Sequence, residues 1–198
     1  MQDLWETPLV LAGKIVRLEP LTEAHVPGLA AVGCDERIWR LMLYGNMLTE
    51  ADMRAWVGDM LSRQAAGTDL PFAVIHLASG RVAGATRYIE MRPEHKGLEI
   101  GGTWYGFEFQ RTGVNTECKY LLLKYAFETL GCVRVQFKAD ARNERSIHAI
   151  ERIGATREGI LRNHYILPDG KLRDSVYFSI IDREWAGVKI RLESLLTR

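Results

Sequence analysis

Long apolar runs are missing from this chain. No segment approaches the roughly 18 uninterrupted apolar residues that a membrane span requires, and the opening Met1 Gln2 Asp3 Leu4 Trp5 Glu6 lacks the basic stretch and apolar run of a leader. The expectation is a cytoplasmic protein with no membrane partner. An excess of charge is missing too: 26 Lys and Arg stand against 25 Asp and Glu, for a net charge of +1. No basic field exists to hold a phosphate backbone, which excludes nucleic acid as a main partner. Cysteine is scarce, and Cys34, Cys118 and Cys132 show neither the paired spacings of a zinc site nor the density of a disulfide framework, so all three read as reduced. The histidines (His25, His76, His95, His148, His164) are scattered without a spaced ligand pair, and no metal is implied. Repeats and Pro, Gly or Ser linkers are lacking as well. One domain over residues 1–198 is the economical reading, with an N-terminal arm at 1–13 and a helical tail at 182–198.

What is present is 47% hydrophobic and 26% charged, the balance of a globular protein. A strand is expected at Lys14 to Glu19, then a short helix capped by Thr22. Thr49 and Asp52 form a variant capping box, followed by Met53, Trp56, Val57, Met60 and Leu61 on one helical face. Phe72 to Leu77, Val82 to Met91 and Leu98 to Tyr105 follow one another with no helix between, which predicts an antiparallel meander. Beyond residue 110 the pattern changes. Leu123, Phe127 and Leu130 give helical spacing before Gly131, and Val133, Val135, Phe137 and Ala139 then alternate with polar residues at period two. Asn143 caps a helix carrying Ile147, Ile150 and Ile153. Strands around Ala155 to Leu161 and Leu172 to Ile181 are separated by the turn Pro168 Asp169 Gly170.

The chemistry is concentrated between Trp104 and Asn115, where a strand gives way to a helix. Backbone N–H groups there have no intrahelical partners, and the helix dipole favours an anion such as pyrophosphate. Gly113 permits close approach and Arg111 supplies a cation. Gln110 x x Gly113 x Asn115 resembles the pyrophosphate-binding loop of the GNAT N-acetyltransferase superfamily. Asn143 Glu144 Arg145 Ser146, Gly154 Ala155, Glu158 Gly159 and Asp174 to Ile181 with Glu184 Trp185 resemble the later parts of that fold. Within the superfamily the motifs are most similar to the RimJ/RimL-like branch.

The resemblance implies an α+β fold, a mixed and mainly antiparallel sheet flanked by helices. It also implies acetyl-CoA as acyl donor, inserted beside a strand that splays from its neighbour. The cofactor-binding positions it implies are Trp104, Tyr105, Gln110, Arg111, Thr112, Gly113, Val114, Asn115 and Asn143, the first two through their backbone. Asn115 departs from the small residue usual at its place. Ile150 stands where the family often has a tyrosine acid, and Ser146 is the hydroxyl the Rim-type branch offers instead, as a relay or donor to the sulfur. Glu99, in Leu98 Glu99 Ile100 Gly101, looks like the family's base or water-positioner, but one extra residue before Trp104 leaves its facing open. His164 and Tyr165 are alternatives.

The implied activity is transfer of acetyl from acetyl-CoA to a primary amine, a protein N-terminal α-amine or a small molecule, in a direct ternary complex. Acceptors in reserve are a polyamine, an antibiotic or a metabolite. From another class, the rival is a non-catalytic acyl-CoA sensor. A Walker-type nucleotide hydrolase fails because Gly113 is followed by Val114 and Asn115 rather than Lys and a hydroxyl residue. The acceptor pocket is expected among Trp39, Arg40, Tyr44, Trp56, Tyr165, Asp169 and Lys171. The arm and the tail are the segments through which a second copy could pack.

Overall fold

The computed structural model describes residues 8–197, so part of the expected N-terminal arm lies outside it. Its strands are β1 (Leu11–Ala12), β2 (Val16–Pro20), β3 (Leu70–His76), β4 (Arg81–Arg92), β5 (Gly97–Tyr105), β6 (Arg134–Asp140), β7 (Thr156–Ile166) and β8 (Leu172–Ile181). Its helices are α1 (Val26–Gly33), α2 (Glu36–Trp39), α3 (Glu50–Ala65), α4 (Gly113–Lys124), α5 (Glu144–Arg152) and α6 (Trp185–Leu196). Among the described residues the strands form one eight-stranded sheet in the order β1-β2-β3-β4-β5-β6-β8-β7.

From β1 through β5 each strand pairs antiparallel with its predecessor, so the predicted meander is present. Only β5 and β6 run parallel, and they pair at Gly97↔Arg134, Leu98↔Val135 and Glu99↔Gln136 alone. Beyond that point β6 stays bound to β8, from Arg134↔Ile181 to Asp140↔Ser175, while β5 follows β4 as far as Gly84↔Tyr105. The two strands therefore part, and the gap opens toward their C-terminal ends.

Two glycines shape that parting. At Gly84 a Cβ would lie 2.1 Å from the Trp104 carbonyl oxygen, which keeps the backbones of β4 and β5 close. At Gly102, with φ of +58°, β5 carries an extra residue between Gly101↔Arg87 and Trp104↔Ala85. Such a bulge bends the strand that carries it.

The period-two alternation of β6 sorts the sheet's faces. Val135, Phe137 and Ala139 join the larger core under α4, α5 and α6. Gln136 and Lys138 lie on the other face, where α1 and α3 cover Ala73, Ile75, Ala85 and Trp104 further along the sheet. The stripe Met53, Trp56, Val57, Met60 is buried there, and the Thr49–Asp52 capping box forms as read. Strand β7 runs past the expected Leu161 to Ile166. It is an exposed edge strand with no buried side to mark its length, and pairing such as Ile166↔Leu172 sets its extent. After α4 the helix widens over Tyr125–Thr129, so Phe127 and Leu130 are only partly buried. Strand β1 and helix α2 are too short for periodicity to reveal.

Glu117 of α4 fixes the first turn of the chain to the core. Its carboxylate accepts from the backbone N–H groups of Lys14 (2.9 Å), Ile15 (2.6 Å) and Val16 (2.7 Å). Hydrogen bonds to charged groups contribute about 1.5–3 kcal/mol each, and Val16, the last of the three, is buried. Glu117→Ala should lower stability by about 3 kcal/mol or more, seen as a fall in Tm of roughly 6–12 °C for a chain of this size. A melting curve unchanged from wild type would show that the turn is held otherwise.

Candidate active site

Two helices begin at the mouth of the gap, because each follows the C-terminal end of one of the parting strands. Helix α4 starts at Gly113 behind the cap Thr112, whose Oγ1 accepts from Val114 N–H (3.2 Å) and donates to the Phe109 carbonyl (2.6 Å). Arg111, just before it, is exposed and has φ of +61°, a conformation unusual for a residue with a side chain. Such strain concentrates at ligand clamps. Gly113 has a second reason to be glycine, since a Cβ would meet Ile15 Cδ1 at 2.6 Å. Val114 is buried and Asn115 half-buried on this first turn.

Helix α5 starts behind Asn143, whose Oδ1 accepts from Ser146 N–H (3.1 Å). That cap uses the serine's backbone and leaves its hydroxyl out. Ser146 is half-buried one turn before Ile150, on the same side of the helix, and Ile150 itself is packed into the core.

Gln110 joins the two sides of the mouth. Its Nε2 donates to the Tyr105 carbonyl (2.8 Å), and its Oε1 accepts from Arg145 Nη1 of α5 (2.6 Å). Arg145 was quoted in the sequence without a role. Because Gly106 N–H donates to Ala83 of β4 (2.9 Å), alternation of peptide groups turns those of Tyr105 toward the gap. The side chains of Trp104 and Tyr105 are buried in opposite cores. The main chain of this segment, rather than these side chains, is what faces the gap.

Glu99 stands apart from these loops, at the closed end of the gap and on the face away from α4. The extra residue that left its facing open in the sequence is absorbed by the bulge at Gly102. Its side chain is 0% exposed; Oε2 accepts from Gln136 Nε2 (3.0 Å) and Oε1 lies 3.2 Å from Lys138 Nζ. Burial pushes its carboxyl above the usual range, with Lys138 and Gln136 opposing that in part. His164 and Tyr165 belong to the same neighbourhood. The Tyr165 ring lies 5.4 Å from Lys138 Nζ and 4.0 Å from the His164 ring, whose pKa burial lowers.

The expected acceptor residues divide. Trp39 and Trp56 pack against Trp104 and each other on the Glu99 face, with Trp39 and Trp104 centroids 5.0 Å apart, and Tyr44 packs against both Trp39 and Trp56. Tyr44 and Trp56 line a cavity of about 410 Å³. Arg40 is exposed, and Asp169 and Lys171 pair at the hairpin tip (2.6 Å), whose Pro168 comes close to Gly45. Among the described residues no group of three or more His, Cys, Asp or Glu is placed to hold a metal, and no helix is long and apolar enough to cross a membrane.

The family model described as "Acetyltransferase (GNAT) domain" matches residues 16–156. The chain belongs to the GNAT acetyltransferase family. Among GNAT relatives, Bacillus subtilis (strain 168) "Putative ribosomal N-acetyltransferase YdaF" is 35% identical over 113 residues, 57% of this chain and 61% of YdaF. The matched stretch thus spans about three-fifths of that curated relative. A crystal structure of a "putative acetyltransferase from T. thermophilus" shares 41% identity over 98% of this chain and all of that one, with a TM-score of 0.88. Mycobacterium smegmatis RimJ, solved with CoA-disulfide, has the same fold at 18% identity and a TM-score of 0.76, covering 96% of this chain and 93% of RimJ. This GNAT chain thus has the α+β fold the motifs implied.

Sequence reading passed over Lys119 of α4. It is 6% exposed, its Nζ donates to Thr103 Oγ1 (2.6 Å), and burial brings its pKa from 10.5 down to about 8. Between those two values the unfolded chain binds more protons than the native one, so this residue's contribution to stability rises with pH through that window. Tyr88, Tyr105, Cys118 and Cys132, raised by burial, act in the opposite direction. The lysine is therefore read by difference. Any stability advantage of Lys119→Met over wild type at pH 7 should shrink by about 3 kcal/mol as pH rises through that window. Denaturant titrations at stepped pH measure this, and a difference that stays flat would mean the amine is not depressed.

Proposed function

We propose that the protein is an acetyl-CoA-dependent N-acetyltransferase that acetylates a primary amine, with an α-amine such as a protein N-terminus as the preferred acceptor. One observation carries the reading: β5 and β6 stop pairing after Glu99↔Gln136, and the N-termini of α4 and α5 flank the mouth of the gap they leave. A ligand with amide groups can hydrogen-bond the free edge of β5, while its pyrophosphate meets the amides of Gly113 to Asn115 and the exposed cation of Arg111. Gln110 and Arg145 form the gate between the helices.

In this reading the acceptor approaches on the Glu99 face, beside the aromatic cluster. Glu99 takes the proton of the attacking nitrogen, directly or through a water, and main-chain N–H of the Trp104–Tyr105 segment stabilises the thioester oxygen. Ser146 donates a hydrogen bond to the sulfur, and Asn143 holds the start of α5. The name of YdaF as a ribosomal N-acetyltransferase supports a ribosomal amine as the acceptor of this chain.

Thiol release from acetyl-CoA, followed with an Ala-initiated peptide, spermidine and kanamycin, tests the activity. Release that depends on the peptide is expected; tight CoA binding without release for any amine would leave a sensor instead. Glu99→Gln should lower kcat by about 10²-fold and abolish the acid limb of the pH profile, a limb that lies above the ordinary carboxylate range because burial raises this group. Ser146→Ala should reduce turnover while calorimetry shows little change in CoA affinity. Equal turnover would remove that serine from the mechanism.

A further inference from the structure

The tyrosine position of α5 holds Ile150, and a serine hydroxyl is a far weaker acid than a thiol, so the proton for the departing CoA sulfur lacks a source among the residues named so far. The structure offers one on the other helix. Thr116 of α4 accepts from Arg152 of α5 (2.7 Å), which marks the side of α4 that faces α5. Lys119 is three residues further, on that same side. Its Nζ reaches Thr103, a half-buried residue in the part of β5 that has no partner on β6, and Thr103 in turn meets Thr86 Oγ1 at 2.8 Å. Among the described residues Thr103 is the acceptor found for this ammonium, which has three protons to give.

We infer that Lys119 is the general acid of the transfer, donating its ammonium proton to the sulfur of CoA from beneath β5, on the face opposite Glu99. This rests on the acetyltransferase reading above. The acceptor nitrogen bonds to the thioester carbon, the C–S bond breaks, and Lys119 gives a proton to the sulfur. The proton shed by the nitrogen passes to Glu99 and to solvent, from which the neutral amine is recharged. Few groups compete for the lysine. Cys118 on its own helix and Tyr105 on β5 are both held protonated by burial, Arg152 of α5 is bound to Thr116, and Glu117 is turned to the amides of Lys14 to Val16. A buried amine depressed to about 8 is close to an ordinary thiol at about 8.5, the match that proton transfer favours.

The test reads the sulfur itself. CoA and desulfo-CoA are bound to wild type and to Lys119→Met, and the thiolate absorbance difference is followed against pH. Wild type should titrate the bound thiol about one unit lower than the variant, a tenfold difference in thiolate ratio. CoA affinity at pH 6, by calorimetry, should be alike in both. Identical thiol titrations would overturn the inference. Failure of wild type to take up CoA would sink the acetyltransferase reading and this one together. Where Lys119→Met does not fold, nitrogen NMR of Lys119 Nζ in wild type serves: its titration should differ between CoA and desulfo-CoA, and identical curves would overturn the role. In turnover, the variant should lose the basic limb that wild type shows near pH 8.

Discussion

Backbone polar groups need partners, and the structure turns on one place where the sheet withholds them. Parallel pairing of β5 with β6 ends after Glu99↔Gln136, yet each strand remains bound along its other edge, β5 to β4 and β6 to β8. Neither can swing back, because the bulge at Gly102 bends β5 away and the seven pairs from Arg134↔Ile181 to Asp140↔Ser175 hold β6 in place. The open edge lies inside the sheet rather than at its rim, where it would invite another chain to pair. Two helix N-termini add their own unpaired donors at the mouth. On the proposed function, those donors are what a ligand rich in acceptors and negative charge would meet. The polar contact of Gln110 with Arg145 spans that mouth without closing it by apolar packing.

The two faces of the gap differ in how they hold buried charge. Glu99 keeps a cation and an amide beside it, and these oppose in part the rise that burial gives its pKa. Lys119 has a hydroxyl for company, so it yields by losing basicity. An ion buried without a counter-ion costs several kcal/mol, a cost that a methionine at the same place would avoid. Perturbed groups of this kind concentrate where proton transfer is carried out. A carboxylate raised on one face and an amine depressed on the other form the pair of shifts that acid–base chemistry near neutrality requires.

Much of this architecture was legible in the residues. The alternation of Val135, Phe137 and Ala139, the capping box of Thr49 with Asp52, and the turn at Pro168 Asp169 Gly170 each state their own geometry, whereas Val133, read as the first residue on the buried side, precedes the strand and is exposed. The loop from Gln110 to Asn115 was found through its family resemblance, though Gln110 proves to bond Tyr105 and Arg145. Glu117 and Lys119 were not legible. On a helix they read as two charges of a solvated face, and only the packing of α4 against β2 and β5 buries them. Likewise the extra residue before Trp104 could be counted but not placed, since a bulge depends on what the partner strand does opposite it.

The acceptor face carries a last consequence. Its buried carboxylates each have a cation at hand: Glu99 with Lys138, Asp69 with Arg87 (2.7 Å), Asp140 with Arg142 (2.7 Å). None of the three is left to trap an ammonium ion. On the acetyltransferase reading the neutral amine is the nucleophile, so the share of it that each acceptor presents bears on the rate. At a pH below both values, an α-amine of pKa about 7.8 presents roughly 300-fold more neutral species than an ε-amine of about 10.4. On the proposed function, that difference in neutral fraction acts on the choice of acceptor before any shape is read, and by itself it weighs toward a chain terminus.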